Sequence, residues 1–277
     1  MSESTATTDT NDATDATPSR PPLTVTLGGG GAYALGFHLG IADGLQDEGI
    51  DISRSPLMGT SGGSHAAVAI ATGMTYEAVA AIWQPYVDGV KGIWVQALPL
   101  AEQLYATAHI PEGSSAAGVA VRLRSLRREV LWASEFGNAE VVAASSSPFP
   151  FVRPTKVGKR RYIDGGHRSG TSCDLAPDAD LQLVLAPFAF KQQGFVGRLG
   201  ARQIAKEPPK WVARTGGATL VVTPDDATVA IRCKSMKAMG DTTIGRSVYD
   251  QTRPFGRQLA GRLRAEHPAV LERMGIS

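Results

Sequence analysis

Residues 56–64 read Pro-Leu-Met-Gly-Thr-Ser-Gly-Gly-Ser, the end of a strand, a tight turn carrying a serine, and the start of a helix. Nothing else in the chain restricts its folding as much. Gly59 and Gly63 bracket Ser61 in a Gly-x-Ser-x-Gly spacing. A strand that turns sharply into a helix needs positions without a Cβ, and the turn leaves the hydroxyl exposed at its tip. Ser61 then stands at a helix N-terminus, where unpaired N–H groups, that of Gly62 among them, and the positive dipole end favour an anionic oxygen. In a chain with 31 glycines the spacing also fits an ordinary turn, so its meaning depends on what accompanies it.

A second unit of the same kind precedes it. Residues 23–27 (Leu-Thr-Val-Thr-Leu) read as a strand and run directly into Gly28, Gly29, Gly30 and Gly31. Over residues 32–48, Leu35, Leu39, Ala42 and Leu45 recur at helical spacing, and Gly49 closes the helix. Beyond the serine turn, a helix is expected through Ala71, and another from Thr75 that stops before Pro85. Residues 87–115, interrupted by Pro and Gly, suit either a cap over a site or a connector. Residues 119–132 place Val119, Leu123, Leu126 and Val130 at helical spacing among arginines and predict an amphipathic helix. Residues 140–144 read as a strand entering Ser145-Ser146-Ser147-Pro148, and residues 150–161 as a basic turn or hairpin. Residues 181–185 and 220–223 are apolar runs of buried strands, and residues 226–274 are mostly helical in pattern. Strands alternating with helices predict a three-layer α/β/α domain with a largely parallel central sheet.

The 277 residues, 43% of them hydrophobic, are enough to bury a sizeable core. The formal net charge of +2 gives no overall preference for nucleic acid. Its distribution is uneven: residues 191–277 hold 15 Lys+Arg against 7 Asp+Glu, a balance of +8, and residues 1–190 hold 13 against 19, a balance of −6. Arg253, Arg257, Arg262 and Arg264 fall in one helical stretch of that basic end, either a solvated face or a site of peripheral contact with anionic membranes. Cys173 and Cys233 are too few and too far apart for a zinc site or a disulfide framework, so a reducing cytoplasm is the expected location. Residues 1–20 lack the apolar core of a secretory signal, and no run of about 18 apolar residues marks a spanning helix. The expected organisation is a disordered tail over 1–22, a core over 23–190, and a basic, mostly helical part over 191–277.

A serine nucleophile needs a base and oxyanion donors. The amides of Gly29, Gly30 and Gly31, between a strand and a helix, suit one anionic oxygen. The rival is a nucleotide site, because Gly29-x-Gly31-x-x-Ala34 also matches a dinucleotide fingerprint. That fingerprint wants an acidic residue at the end of a second strand, whereas Asp47, Glu48 and Asp51 precede the strand here. For the base, Asp164-Gly165-Gly166 puts a carboxylate at a strand end before a turn, although Asp-Gly is also a common turn. Of the five histidines, His38 and His65 fall within predicted helices as structural residues, and His167, three residues from Asp164, is the one to test.

The glycine loop with its helix, the Gly-Thr-Ser-Gly-Gly turn, and Val141-Val142-Ala143-Ala144-Ser145…Pro148 leading to Arg161-Tyr162-Ile163-Asp164-Gly165-Gly166 resemble the patatin-like phospholipase family in content and order, over residues 23–188. The resemblance implies hydrolysis of lipid or small acyl esters by a Ser61–Asp164 dyad, with the glycine loop as oxyanion hole and no cofactor or metal. The chain departs from the family at Tyr33 and Ala34, where a basic residue and a last glycine are usual, and at Gly170 and Ser172, where Pro and Asn are. A catalytically silent member serving as an interaction module is the further alternative.

Overall fold

β1 (Leu23–Leu27) and β7 (Leu181–Leu185) are buried along their whole length and lie side by side at the centre of the sheet. Apolar and β-branched residues on both faces suit strands covered from both sides. The computed structural model describes residues 20–89, 95–189, 194–231 and 238–276, so most of the expected tail and Cys233 lie outside the described residues. Around the central pair stand β2 (Pro56–Thr60), β3 (Ser115–Arg122), β4 (Arg128–Trp132), β5 (Thr155–Val157), β6 (Arg160–Asp164) and β8 (Ala218–Val222), in the order β5-β6-β3-β2-β1-β7-β8, with β4 also paired to β3. From β3 to β8 every neighbour is parallel, and the antiparallel strands gather at the β3 end.

Helices cover both faces. On one side, Val25, Leu27, Leu183 and Leu185 share a core with α1 (Gly31–Asp47), α2 (Gly62–Thr72) and α10 (Thr242–Glu266). On the other, Met58 and Val119 pack on Trp211 of α8 (Glu207–Thr215), and Val184 meets Cys173 and Ile204 of α7 (Gly194–Ile204). The result is the expected three-layer α/β/α arrangement. Among the described residues, no helix is long and apolar enough to cross a membrane.

Three local expectations are corrected. Residues 119–132 form the β3–β4 hairpin rather than a helix, because Val119 and Val121 on one strand pair with Val130 and Arg128 on the other. Residues 140–144 lie in a helix, α6 (Asn138–Ser145), whose apolar residues are buried on several sides, so a short apolar run did not distinguish the two states. The third helix, α3 (Tyr76–Gly89), passes through Pro85 instead of ending before it. Within residues 87–115, α4 (Leu98–Tyr105) buries Leu100, Ala101, Leu104 and Tyr105 in the main core, so this part is a packed helix of the layer.

The long C-terminal helix α10 is held by close backbone contact. Gly36, Gly40 and Gly44 form a small-residue stripe on α1, and a Cβ at Gly40 would stand 2.7 Å from the Tyr249 carbonyl oxygen, while one at Gly44 would stand 2.9 Å from Cα of Gly256. Ion pairs join the same helices: Asp47 accepts from Arg253 and Arg257, each at 2.7 Å. Gly40→Leu should therefore push the helices apart and destabilise the fold by about 1–3 kcal/mol. Thermal unfolding measures this, and an unchanged midpoint would contradict the packing argument.

Candidate active site

The register of β3 brings the predicted dyad together. β2 pairs with Ser115 to Val119, β6 pairs with Ala120 to Arg122, and β4 pairs with Ala117 to Val121. Since β4 overlaps both of the others, it occupies one edge of β3, and β2 and β6 share the opposite edge end to end. Thr60 stands opposite Val119 and Asp164 opposite Ala120, the next residue along. Ser61, one residue past Thr60, is thereby delivered to Asp164, and its hydroxyl acts on the carboxylate to favour the ionised form.

Ser61 has φ 53° and ψ −122°, a conformation that L-residues avoid and that costs on the order of 1–3 kcal/mol. Its surroundings hold it there. The Ser61 N–H donates to Ser145 Oγ at 2.9 Å, and that hydroxyl donates in turn to the Val119 carbonyl at 2.8 Å. The Ser61 carbonyl accepts from the Ser64 N–H at 2.8 Å and from the Ser64 hydroxyl at 2.7 Å. Gly59 and Gly63 are needed for close approach rather than for unusual dihedrals: a Cβ on Gly59 would stand 2.4 Å or less from the backbone of Gly63 and Ser64, and one on Gly63 would collide with the Leu27 and Gly28 carbonyls.

Asp164 is 5% exposed. Its carboxylate also accepts from the Gly166 N–H at 2.7 Å, and its own N–H donates to the Ser147 carbonyl at 2.9 Å. Burial pushes its pKa up to about 6, against the opposing pull of the Ser61 hydroxyl, the Gly166 amide and the charge of His167. His167 is exposed and makes no hydrogen bond to either member of the pair among the described residues. His38 and His65 are structural. His38 is buried and held near 4, hence neutral, and its Nε2–H donates to the Gly28 carbonyl at 2.7 Å. His65 is likewise buried, its pKa lowered to about 3, with Nδ1 3.2 Å from the Tyr105 hydroxyl.

The glycine loop lies against the serine turn. A Cβ on Gly29 would stand 3.3 Å from Cβ of Ser61, and one on Gly62 would stand 2.7 Å from the Gly31 nitrogen. The donors are not equivalent. The Gly28 N–H is bonded to the Leu185 carbonyl at 2.9 Å and the Gly29 N–H to the Gly170 carbonyl at 2.7 Å, so the expectation that Gly29 donates to substrate does not fit this loop. The amides of Gly30, Gly31 and Gly62 carry no hydrogen bond among the described residues. Gly30 (φ 147°) and Gly31 (φ 59°) reach this arrangement through dihedrals that favour glycine. The Tyr33 and Ala34 departures leave those amides untouched. Tyr33 turns into the core, where its hydroxyl donates to the Thr228 carbonyl at 3.1 Å.

The segment after Asp164 supports the loop from behind. Besides accepting from Gly29, Gly170 donates to Gln203 Oε1 at 2.9 Å, while Thr171 packs its methyl beside Gly28 and donates its hydroxyl to Glu207 at 2.9 Å. Glu207, 7% exposed, also accepts from the Cys173 N–H at 3.2 Å and from Arg128 at 3.4 Å, and Arg128 forks onto Asp174. Sequence reading gave Ser145, Gly170 and Glu207 no role. Ser145 carried a signal in the serine run before Pro148, and Gly170 in its departure from the family pattern; Glu207 carried none.

Against known proteins, no family model matches the chain, and no curated protein does either. Among solved structures it is similar to VipD from Legionella pneumophila at 13% identity and a TM-score of 0.38, over 86% of this chain and 67% of that one.

The folded-state pKa of Asp164 lies above its ordinary value of 3.8. Burial of this carboxylate is therefore neutral to stability below about pH 4, and grows destabilising as pH rises through 6, to about 3 kcal/mol at neutrality. Asp164→Asn retains an acceptor for Ser61 and Gly166, so it should melt higher than wild type at pH 7, with the gap closing toward pH 4. A variant that melts lower at pH 7 and shows no pH-dependent gap would refute the assigned burial cost.

Proposed function

We propose that the chain is a patatin-like serine acyl hydrolase acting on lipid or small acyl esters, with Ser61 as nucleophile and Asp164 as base. The observation that carries this reading is the end-to-end meeting of β2 and β6 on β3. It sets a strained, half-buried serine against a buried carboxylate, beside two loop glycine amides that carry no hydrogen bond among the described residues. In the first step Asp164 accepts the Ser61 proton as Oγ attacks the ester carbonyl. The carbonyl oxygen becomes the oxyanion, and the Gly30 and Gly31 amides, with Gly62 at the start of α2, are the donors that receive it. Collapse expels the alcohol, which takes the proton back from Asp164. Water, deprotonated by the same carboxylate, then attacks the acyl-serine; the acyl–Oγ bond breaks, Asp164 returns the proton to Ser61, and the acid is released.

The nucleotide-binding alternative fits less well. Two of the four glycine amides are consumed by backbone carbonyls, and Asp47 is engaged by two arginines at the far end of α1. A 17-residue helix puts that end about 25 Å from the glycine loop. An interaction module without activity would have no need of a buried carboxylate beside the serine, which costs stability at neutral pH.

The test is fluorophosphonate labelling combined with turnover of p-nitrophenyl esters. Ser61→Ala should lose both. Asp164→Asn should lose turnover by about three orders of magnitude or more while remaining folded, and His167→Ala should keep most of the rate, since no histidine belongs to the unit. The base must be ionised, so kcat/KM should rise with pH and level off above about 6, the value to which Asp164 is raised. An inactive His167→Ala beside an active Asp164→Asn would discard the dyad.

A further inference from the structure

The arginines of α10, first candidates for membrane contact, are engaged within the fold: Arg253 and Arg257 with Asp47, Arg262 with Glu266, and Arg264 with Glu48. The opposite holds at the end of the sheet where Ser61 sits. There β3 ends at Arg122, the β3–β4 turn follows over residues 123–127, and the β5–β6 hairpin turns at Gly158 and Lys159 alongside it. The β3–β4 turn is tied to β6, since the Leu123 N–H donates to the Arg161 carbonyl at 2.9 Å, and to the segment after Asp164, since Arg168 Nε donates to the Leu126 carbonyl at 2.9 Å. The 146–154 loop lies beside Asp164 at the open end of the β5–β6 hairpin, nearer Ser61 than the two turns, because Ser147 accepts the Asp164 N–H.

Apolar side chains stand out from these three segments. Leu123 is 37% exposed, Leu126 50%, Phe149 41% and Phe151 50%, four of the seven exposed large hydrophobic residues among those described. Leu126 adopts φ 53°, a left-handed turn position suited to glycine or asparagine. A leucine there bears a strained backbone and gains no burial for it, and such outliers cluster where function requires them. Around these residues Arg124, Arg127, Arg153, Lys156, Lys159 and Arg161 are exposed, with no carboxylate in ion-pair distance among the described residues. The nearest acid of the hairpin, Glu129, is already shared by Arg122 and Arg160.

We infer that the β3–β4 turn, the β5–β6 hairpin and the 146–154 loop form a docking surface for an anionic lipid bilayer. Free cations draw the surface to acidic headgroups, and the leucines and phenylalanines enter the acyl boundary, a combination neither a nucleic acid nor an acidic protein requires. Its purpose rests on the acyl-hydrolase reading, since docking there holds Ser61 toward the lipid.

Co-sedimentation of the full chain with vesicles of phosphatidylcholine, and of phosphatidylcholine mixed equally with phosphatidylglycerol, tests the surface, with turnover of a soluble p-nitrophenyl ester measured in parallel. Wild type should bind the mixed vesicles and lose affinity with salt. Each cation removed near an anionic surface weakens binding about fivefold, so Arg124→Gln, Arg127→Gln and Arg161→Gln together should weaken it on the order of a hundredfold. Leu126→Asn should cost about tenfold in binding while leaving the melting temperature equal or higher, a pairing that a structural role for Leu126 would not produce. Arg262→Gln in α10 should bind as wild type. Equal binding to neutral vesicles, no binding, or unaltered binding by the triple variant would overturn the proposal, as would preferential binding of duplex RNA over vesicles. Vesicle binding that depends on these residues without ester turnover would retain the surface and remove the hydrolase reading; turnover without binding would do the reverse.

Discussion

The site depends on a single edge of one strand. β3 offers one side to β4 over Ala117 to Val121 and divides the other between β2 and β6, which meet at the step from Val119 to Ala120. A slip of one residue in either strand would turn every side chain to the opposite face, so the burial of both sheet faces fixes the register and with it the serine and the carboxylate. Two glycines make the junction possible. A Cβ at Gly118 would stand 2.9 Å from the Val141 carbonyl oxygen and 3.0 Å from Ser145, and one at Gly165 would stand 3.1 Å from the Thr60 methyl and press on the Val119 carbonyl.

Stability and reactivity are opposed at this junction. Ser61 holds a backbone conformation that costs on the order of 1–3 kcal/mol, and the buried Asp164 adds a comparable term at neutral pH. Both are offset by packing remote from the chemistry: the fully buried β1 and β7, the α1–α10 interface, and the hydrogen bonds of Ser145 and Ser64 around the turn. The same burial that destabilises the carboxylate brings its pKa close to the range in which a base works best.

Most of this was legible where a residue type has one physical use. The four-glycine run, the Gly-x-Ser-x-Gly spacing and Asp164-Gly165-Gly166 fall on turns in the structure, and the apolar runs at 181–185 and 220–223 fall on β7 and β8. The misreadings occurred where local pattern is degenerate. In residues 119–132, Val119, Leu123, Leu126 and Val130 mimic helical spacing, and the hairpin turn carries no glycine or asparagine to announce itself because Leu126 occupies the left-handed position. Residues 140–144 form too short an apolar run to separate helix from strand. Charge was misleading for another reason: the balance of a segment does not record pairing, and α10 meets its acids on α1, about 200 residues away in sequence.

Which amides of the glycine loop are left without a hydrogen bond among the described residues likewise depends on long-range bonds. Four consecutive glycines look interchangeable, yet Leu185 on β7 takes the first N–H and Gly170, downstream of the base, takes the second. Those two bonds, together with the neutral His38 on the Gly28 carbonyl, fix the loop in a state where the next two amides have no hydrogen-bond partner among the described residues. Donors held in this way need no reorganisation when charge develops, which is the condition under which hydrogen bonds contribute most to a transition state. Gly170 is itself set by Gln203, and its neighbour Thr171 by the buried Glu207. The preorganisation of the glycine loop therefore originates in helices α7 and α8 on the other face of the sheet, outside the segment that carries the recognisable motifs.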